Sequence, residues 1–414
     1  MRVLLVNHSF SSGGAERCVR DLYHGMIQRG HEVHVWIANP SDHLPANVKG
    51  ICRSWERNLL PLDMIADLTD WRHRGSIEAF KQITPEHFDV VHLHHIGGSW
   101  LSLKALSEAC MRVPTVWTHH DEWAVSNGFI YDLNQRITRD EIIQFSQGIN
   151  RLFHRSPYHH NFKNTRVGRW IDQYAPHPLL MIAPSRYMAD QIRQCGRFTE
   201  TDIKQVPNGL SMLDNPAIHI SPGAAREKLG IAADRPVVLM IAANIGDVHK
   251  GIMLGKQAID NLRDSLNPHV ILLGHINPSQ ARQLSSISDT SFYASTNDQL
   301  ACAYRAADVT LIPSLSDNFP FTALESLACQ RPACAFRVGG LPEIIGDNQR
   351  GMLAEPYRVD QLTDCLGKLL QNDKMRLEMG RAGRQWVKEH CAMNNFLDQI
   401  ESCYQTVVTR FNNR

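Results

Sequence analysis

The chain has 414 residues, 43% of them hydrophobic, with 43 Lys and Arg against 42 Asp and Glu for a formal net charge of +1. That length can bury two cores, the balanced charge gives no general attraction to nucleic acid, and no run of about 18 apolar residues could span a bilayer. Ten cysteines scattered from Cys18 to Cys403 without a CxxC pair fit reduced thiols, and residues 1–6 are too short and too soon followed by polar ones for a secretory leader, so a cytoplasmic protein is expected.

Residues 2–7 form an apolar strand, 9–14 a small-residue loop and 15–28 a helix with Val19, Leu22, Met26 and Ile27 available for its inner face. Gly30 stops that helix, and 32–38 supplies the next strand. Such a βαβ unit predicts a parallel sheet with a crevice at the carboxyl ends of its strands. Gly13 and Gly14 lie in the loop above that end, where a glycine pair either makes a turn or lets backbone approach a ligand. From 40 to 86, Trp55, Leu59, Leu62, Ile65 and Trp71 recur among charged residues, a pattern of amphipathic helices that belong to a core or face a membrane surface.

Two strands follow, 90–94 and 115–118, and both end in histidines. His92, His94 and His95 with His119, His120 and Asp121 are residue types that can bind a catalytic metal at strand ends. Alternation along one strand face accounts for His92 and His94 as well, and no further carboxylate cluster completes such a site. Between 151 and 169 the chain carries Arg151, Arg155, Lys163, Arg166 and Arg169 with three histidines and no acidic residue. That stretch suits acceptor phosphates, an anionic membrane surface or a solvated loop.

A strand at 180–184 is expected to be the last of the first domain, with a helix from Arg186 and a strand at 203–207 after it. Asn208 and Gly209 mark a turn, and 214–230 has the composition of a linker and an entry helix. A fresh strand at 237–242 opens a second sheet, where Asn244 to Lys250 and a helix from Ile252 repeat the βα pattern. Further strands at 270–273, 309–313 and 333–336 alternate with helices, and helical patterns at 361–370 and 375–411 close the chain.

The stretch LIPSLSDNFPFTALESLACQ, residues 311–330, carries the most chemistry. It has the pattern of strand, tight polar loop and helix. The helix start over Asn318, Phe319, Pro320, Phe321 and Thr322 aims unpaired amides at whatever sits above the strand ends, which suits phosphate oxygens. Glu325, four residues after Phe321 on the same helical face, can accept hydrogen bonds from hydroxyls beside such an anion. A nucleotide offers both groups. Lys250 supplies an ammonium able to stand beside the phosphates of such a nucleotide.

Together these segments resemble the retaining glycosyltransferases of the GT-B fold, family 4, group 1. The shared strings are GGAER (13–17), RGHEV (29–33), DVVHLHHIGG (89–98), VWTHHDEW (116–123), APSRYM (183–188), VPNGL (206–210), HKG (249–251) and GGLPEII (339–345). Asp317 and Glu325, separated by seven residues, stand in the place of the family's Glu-x7-Glu motif. VWTHHDEW and SDNFP are most similar to members of the exopolysaccharide, O-antigen and colanic-acid type.

The resemblance implies an α/β architecture of two Rossmann-like domains whose parallel sheets face each other across a cleft. Residues 1–213 would bind the acceptor, 214–390 the nucleotide-sugar donor, and 391–414 would form a helix packing back on the first domain. It further implies that Gly13 and Gly14 lie against the donor diphosphate, that Gly14, His94 and Asp121 serve the acceptor, and that His120 contacts the donor sugar. Glu325 would bind the ribose hydroxyls and Asp317 position the sugar. Two departures stand out. Asp317 is one methylene shorter than the family's Glu, and 244–248 holds no arginine to join Lys250 on the phosphates, so Asn244 is expected to contribute.

The implied reaction is retaining, metal-independent transfer from a nucleotide sugar, which is a substrate and not a cofactor, to a hydroxyl of a glycan or lipid-diphosphate-linked glycan. Peripheral contact with the cytoplasmic face of the inner membrane goes with such an acceptor, and no nucleic-acid partner is expected. Two other readings stay open on the residues: a sugar-nucleotide epimerase of the same architecture, and a metal-dependent hydrolase built on the histidine cluster.

Overall fold

The computed structural model describes residues 1–11, 13–38, 44–53, 73–97, 100–126, 171–173, 179–198, 201–232 and 234–414. The amphipathic stretch at 40–86 is therefore described only in part, and the basic stretch at 151–169 lies outside the described residues. The chain divides into two compact units, Met1–Val206 with Leu397–Arg414, and Pro207–Phe396.

In the first unit β1 (Arg2–Val6), β2 (Glu32–Ile37), β3 (Val48–Gly50), β4 (Val90–Leu93), β5 (Thr115–Thr118), β6 (Leu180–Ala183) and β7 (Asp202–Gln205) form a seven-stranded sheet in the order β3-β2-β1-β4-β5-β6-β7. Every pairing is parallel. Central strands of such a sheet are covered on both faces, which is why β1 is a continuous apolar run and Val3, Leu4, Leu5 and Val6 are all buried. The strand order reverses between β1 and β4, so the loops leaving these two strands diverge and open a crevice. The strand at 180–184 is not the last of this unit: β7 pairs with β6 and forms the edge of the same sheet. As an edge, it keeps charged, partly exposed side chains such as Asp202 and Lys204.

Helix Gly14–Gln28 covers this sheet with a stripe of Val19, Leu22, Tyr23 and Met26, spaced three and four residues apart. Ile27, expected on that face, is 40% exposed. It lies one position past the stripe, and Tyr23 fills the place given to it. Helix Met393–Asn412 contributes its portion from Leu397 to this unit. There Leu397 packs so closely on Gly25 that an added Cβ would stand 2.6 Å from it, and Arg29 pairs with Asp398 and Glu401 at 2.7 Å each.

The second unit repeats the plan with β8 (Val237–Asn244), β9 (His269–His275), β10 (Thr290–Phe292), β11 (Val309–Ile312), β12 (Ala333–Phe336) and β13 (Gly351–Ala354), in the order β10-β9-β8-β11-β12-β13. These pairings are parallel too. Two parallel, Rossmann-like sheets are the α/β architecture of the GT-B fold. The reversal now lies between β8 and β11. Those strands pair at Val238 with Val309 and at Leu239 with Thr310, and β8 then runs on to Asn244 beside β9, so the crevice begins within the sheet.

Helix Phe321–Ala328 is buried at every position but Thr322, which accounts for its small and apolar composition. Residues 214–230 form the turn Pro216–His219 and helix Pro222–Lys228, whose first turn Ser221 caps. The helical pattern at 375–411 divides into Asp373–His390 and Met393–Asn412. No helix among the described residues is long and apolar enough to cross a membrane.

Candidate active site

At the reversal of the second sheet, β8 leads into the turn Val248–Lys250 and helix Ile252–Asp260, while β11 leads through residues 313–320 into helix Phe321–Ala328. The two loops are stitched together. The Leu315 N–H donates to the His249 carbonyl at 2.7 Å, and Lys250 Nζ donates to Asp317 Oδ2 at 2.7 Å. Ser314 Oγ donates to the same carboxylate oxygen at 3.3 Å.

Glycine makes this approach possible. Gly251 has φ +60°, and a Cβ there would stand 1.9 Å from the Pro313 carbonyl oxygen. From the β12 side Gly339 has φ +53°, with the Asp317 carbonyl oxygen 1.7 Å from an added Cβ, and the Gly340 N–H donates to that carbonyl at 3.1 Å. The loop that carries Asp317 is thus held by backbone on both sides, and the short carboxylate reaches Lys250 because the loops touch.

Burial works against the Lys250 charge, but Asp317, aided by Asp247, outweighs it and raises the ammonium above its ordinary pKa. The lysine is therefore a fixed cation near neutral pH. Helix Phe321–Ala328 starts after Pro320, and the positive end of its dipole is directed at the space over β11. One turn further in, Glu325 is 3% exposed, and Tyr304 from helix Asn297–Ala306 donates its phenol to Glu325 Oε2 at 2.7 Å. A held cation, a helix start and an oriented carboxylate can together bind a diphosphate and neighbouring hydroxyls. Asn244, exposed at the end of β8, accepts the Gly246 N–H at 3.0 Å, which ties its side-chain oxygen to the turn.

At the reversal of the first sheet, Gly13 has φ +126°, and a Cβ there would stand 2.1 Å from Glu16 Oε2. Strand β4 and the end of β5 deliver the histidines. His92 is fully buried, with Nδ1 2.8 Å from the Tyr404 hydroxyl and Nε2 2.7 Å from Thr118 Oγ1. His94, 2% exposed, packs on His92 with ring centroids 4.1 Å apart, and its Nδ1 lies 2.9 Å from His120 Nε2. Asp121 accepts the Trp123 N–H at 2.9 Å and lies 3.4 Å from His95 Nε2.

Burial, reinforced by neighbouring imidazoles, pushes His92, His119 and His120 down to about 3 and His94 well below its ordinary value, so all four are neutral at pH 7. Among the described residues no group of three or more His, Cys, Asp or Glu is arranged to hold a metal ion.

Two family models match the chain, one described as Glycosyltransferase Family 4 over residues 12–212 and one as Glycosyl transferases group 1 over residues 223–386. The chain belongs to these glycosyltransferases. D-inositol 3-phosphate glycosyltransferase of Xylanimonas cellulosilytica is 25% identical over 405 residues, covering 90% of this chain and 87% of that relative. Among solved structures, sucrose-phosphate synthase from Thermosynechococcus elongatus superposes with a TM-score of 0.73 at 19% identity, covering 99% of both chains. HepE of Anabaena in complex with UDP-glucose gives a TM-score of 0.68 at 17% identity, covering 98% of this chain and 100% of that one. Sugar transfer from a nucleotide donor is accordingly the general activity of the chain.

In this glycosyltransferase, Lys250 and Asp317 come into contact, and Glu325 follows the same helix start, where Asn318, Phe319, Pro320 and Phe321 are buried and Thr322 is half-buried. His120 and Asp121 adjoin, both half-buried, after β5. His94, expected at the acceptor, is buried and bonded to His120. Gly14 is exposed at the start of its helix. Sequence reasoning gave no role to Tyr304 or to the contact that Gly339 makes. A signal for Tyr304 was present: it is the one hydroxyl-bearing residue in NDQLACAYRA, on an alanine-rich inner face, where a buried phenol needs a partner.

Proposed function

We propose that this glycosyltransferase is a retaining, metal-independent enzyme that moves a sugar from a nucleotide-sugar donor to a hydroxyl of a growing, lipid-linked glycan in bacterial surface-polysaccharide assembly. The observation that carries the reading is the Lys250 ammonium, fixed by Asp317 at the reversal of the second sheet beside the start of helix Phe321–Ala328. In this reading Lys250, Asn244 and the amides over 318–322 take the donor diphosphate, Glu325 takes the ribose hydroxyls, and Asp317 positions the sugar. From the first unit Gly13 and Gly14 approach the diphosphate, His120 contacts the sugar and Asp121 serves the acceptor.

Bond changes set the demand on the site. The bond between the anomeric carbon and the phosphate oxygen breaks, a bond to the acceptor oxygen forms, and the acceptor's proton ends on the released diphosphate. Charge grows on the leaving group, so a cation already held in place lowers the barrier without reorganising. Retention requires donor and acceptor to meet on the same face of the sugar, and no side chain is assigned as a covalent nucleophile. The lipid-linked acceptor rests on the likeness of VWTHHDEW and SDNFP to polysaccharide-assembling members, and such an acceptor supports a peripheral location at the cytoplasmic face of a membrane.

Purified protein screened by thermal shift against UDP-, GDP- and ADP-sugars identifies the donor, since a true ligand stabilises by mass action. The product's anomeric configuration, read by NMR, should match that of the donor. Inversion would overturn the retaining assignment, and loss of all transfer in EDTA would overturn the metal-independent one.

A further inference from the structure

We propose that His94 is the positioning residue for His120: its Nδ1–H donates to His120 Nε2 and fixes His120 as the Nδ1–H tautomer, so that His120 offers its substrate an N–H donor and no lone pair. The inference rests on the proposed function only in taking His120 to face the sugar substrates. The two nitrogens are 2.9 Å apart, and the ring planes differ by 13° with centroids 5.2 Å apart. Rings so nearly parallel, with centroids far beyond the nitrogen separation, meet edge to edge, which is the geometry of an in-plane N–H···N bond.

A neutral imidazole carries one N–H, so there are two ways to make this bond. In the first, His94 donates from Nδ1 and its Nε2 is a bare lone pair. In the second, His120 donates from Nε2 and the His94 proton sits on Nε2. Among the described residues His94 Nε2 is buried without a hydrogen-bond partner. The second arrangement thus strands an N–H in the interior, whereas the first strands an acceptor, and buried orphan N–H groups are the rarer of the two. His94 is itself held in place by the His92 ring packed on it, which Tyr404 and Thr118 fix from either end. Neutrality of His92, His94 and His120 follows from burial, reinforced by the imidazoles beside them.

The consequence is chemical. His120 Nε2 spends its lone pair on His94, and Nδ1 carries the proton, so His120 cannot accept the proton of the acceptor hydroxyl. It recognises an oxygen lone pair on the sugar instead.

Full-length protein labelled with ¹⁵N-histidine, with His120 assigned through His120→Gln, reports each tautomer in two-bond ¹H–¹⁵N spectra without any substrate. The expected result is a His120 proton on Nδ1; a proton on Nε2 overturns the proposal. His94→Phe fills the space but donates nothing. It should release the His120 tautomer and lower kcat by about tenfold, the worth of one hydrogen bond, with nucleoside diphosphate affinity unchanged. His94→Gln, whose amide can donate, should recover a measurable part of that loss. An unchanged tautomer and kcat in His94→Phe overturn the proposal as well. If His94→Phe does not fold, the wild-type spectrum alone decides. A wild-type protein that transfers no sugar sinks the functional reading and leaves the tautomer result standing.

Discussion

Glu325 is a carboxylate buried beside a hydroxyl that needs it, and this shapes how it can be tested. Glu325→Ala would take from the Tyr304 phenol its nearer acceptor, at 2.7 Å against 3.3 Å for the Thr322 carbonyl, and confound stability with binding. Glu325→Gln keeps an oxygen for Tyr304 and removes only the charge. If the other carboxylate oxygen takes ribose hydroxyls, Glu325→Gln should weaken donor binding by about 10-fold, the lower range for a hydrogen bond to a charged group, and leave acceptor affinity alone. Calorimetric titration of the donor checks this, and unchanged affinity would remove Glu325 from the ribose role. The Asp317 side chain, one methylene shorter than its counterpart in the family, engages Lys250 at 2.7 Å, and the loop contacts around it explain why the shorter residue reaches.

Loops at the ends of β8, β11 and β12 form the element that matters most, and their glycines are its weakest points. Gly251→Ala and Gly339→Ala place a Cβ within 1.9 Å and 1.7 Å of a carbonyl oxygen at positive φ. Each should lower stability by about 1–3 kcal/mol and cut transfer further, because relief of the clash must pull the Lys250 turn and the Asp317 loop apart. Denaturant melts beside an activity assay test this; wild-type values for both would mean that the loops are not locked together. The central strands were legible because they are rich in apolar and β-branched residues, as in VVLM of β8 and VTLI of β11. The strands β3, β10 and β13 gave no comparable signal. All three lie at sheet edges, where burial on both faces is not required and no apolar run is demanded. Tyr304 and the His94–His120 pair were illegible for another reason: their partners come from distant parts of the chain, and spacing along one strand or helix does not reveal them.

For the molecule as a whole, the buried histidines of the first unit impose a pH dependence. Their pKa values are depressed in the folded state from 6.5 to about 3 for His92, His119 and His120, and His94 falls in the same direction. Above about pH 6.5 neither state binds these protons, so the stabilisation is fully present. As pH falls below that, the unfolded chain takes protons that the folded one refuses. Stability then declines by about 1.4 kcal/mol per pH unit for each histidine, down toward the folded values. Glu16 and Asp121, raised by burial, act in the opposite sense and offset part of this. Since the histidines outnumber them, urea midpoints should fall between pH 7.5 and 5.5, and equal midpoints would contradict the buried neutral cluster.

The two-sheet plan was readable from repeated βα units and ordered motifs, and the family models agree over most of the chain. What the sequence could not yield was the closeness of Lys250 to Asp317, since 67 residues separate them and only the strand order brings their loops together. The central claim is that this lysine grips the leaving diphosphate, and calorimetric titration of UDP, GDP and ADP onto wild type and Lys250→Ala tests it most directly. The wild-type protein should bind one of the three, and Lys250→Ala should lose at least about tenfold in that affinity and ~10² in turnover. Equal affinity and turnover in the two proteins would contradict it.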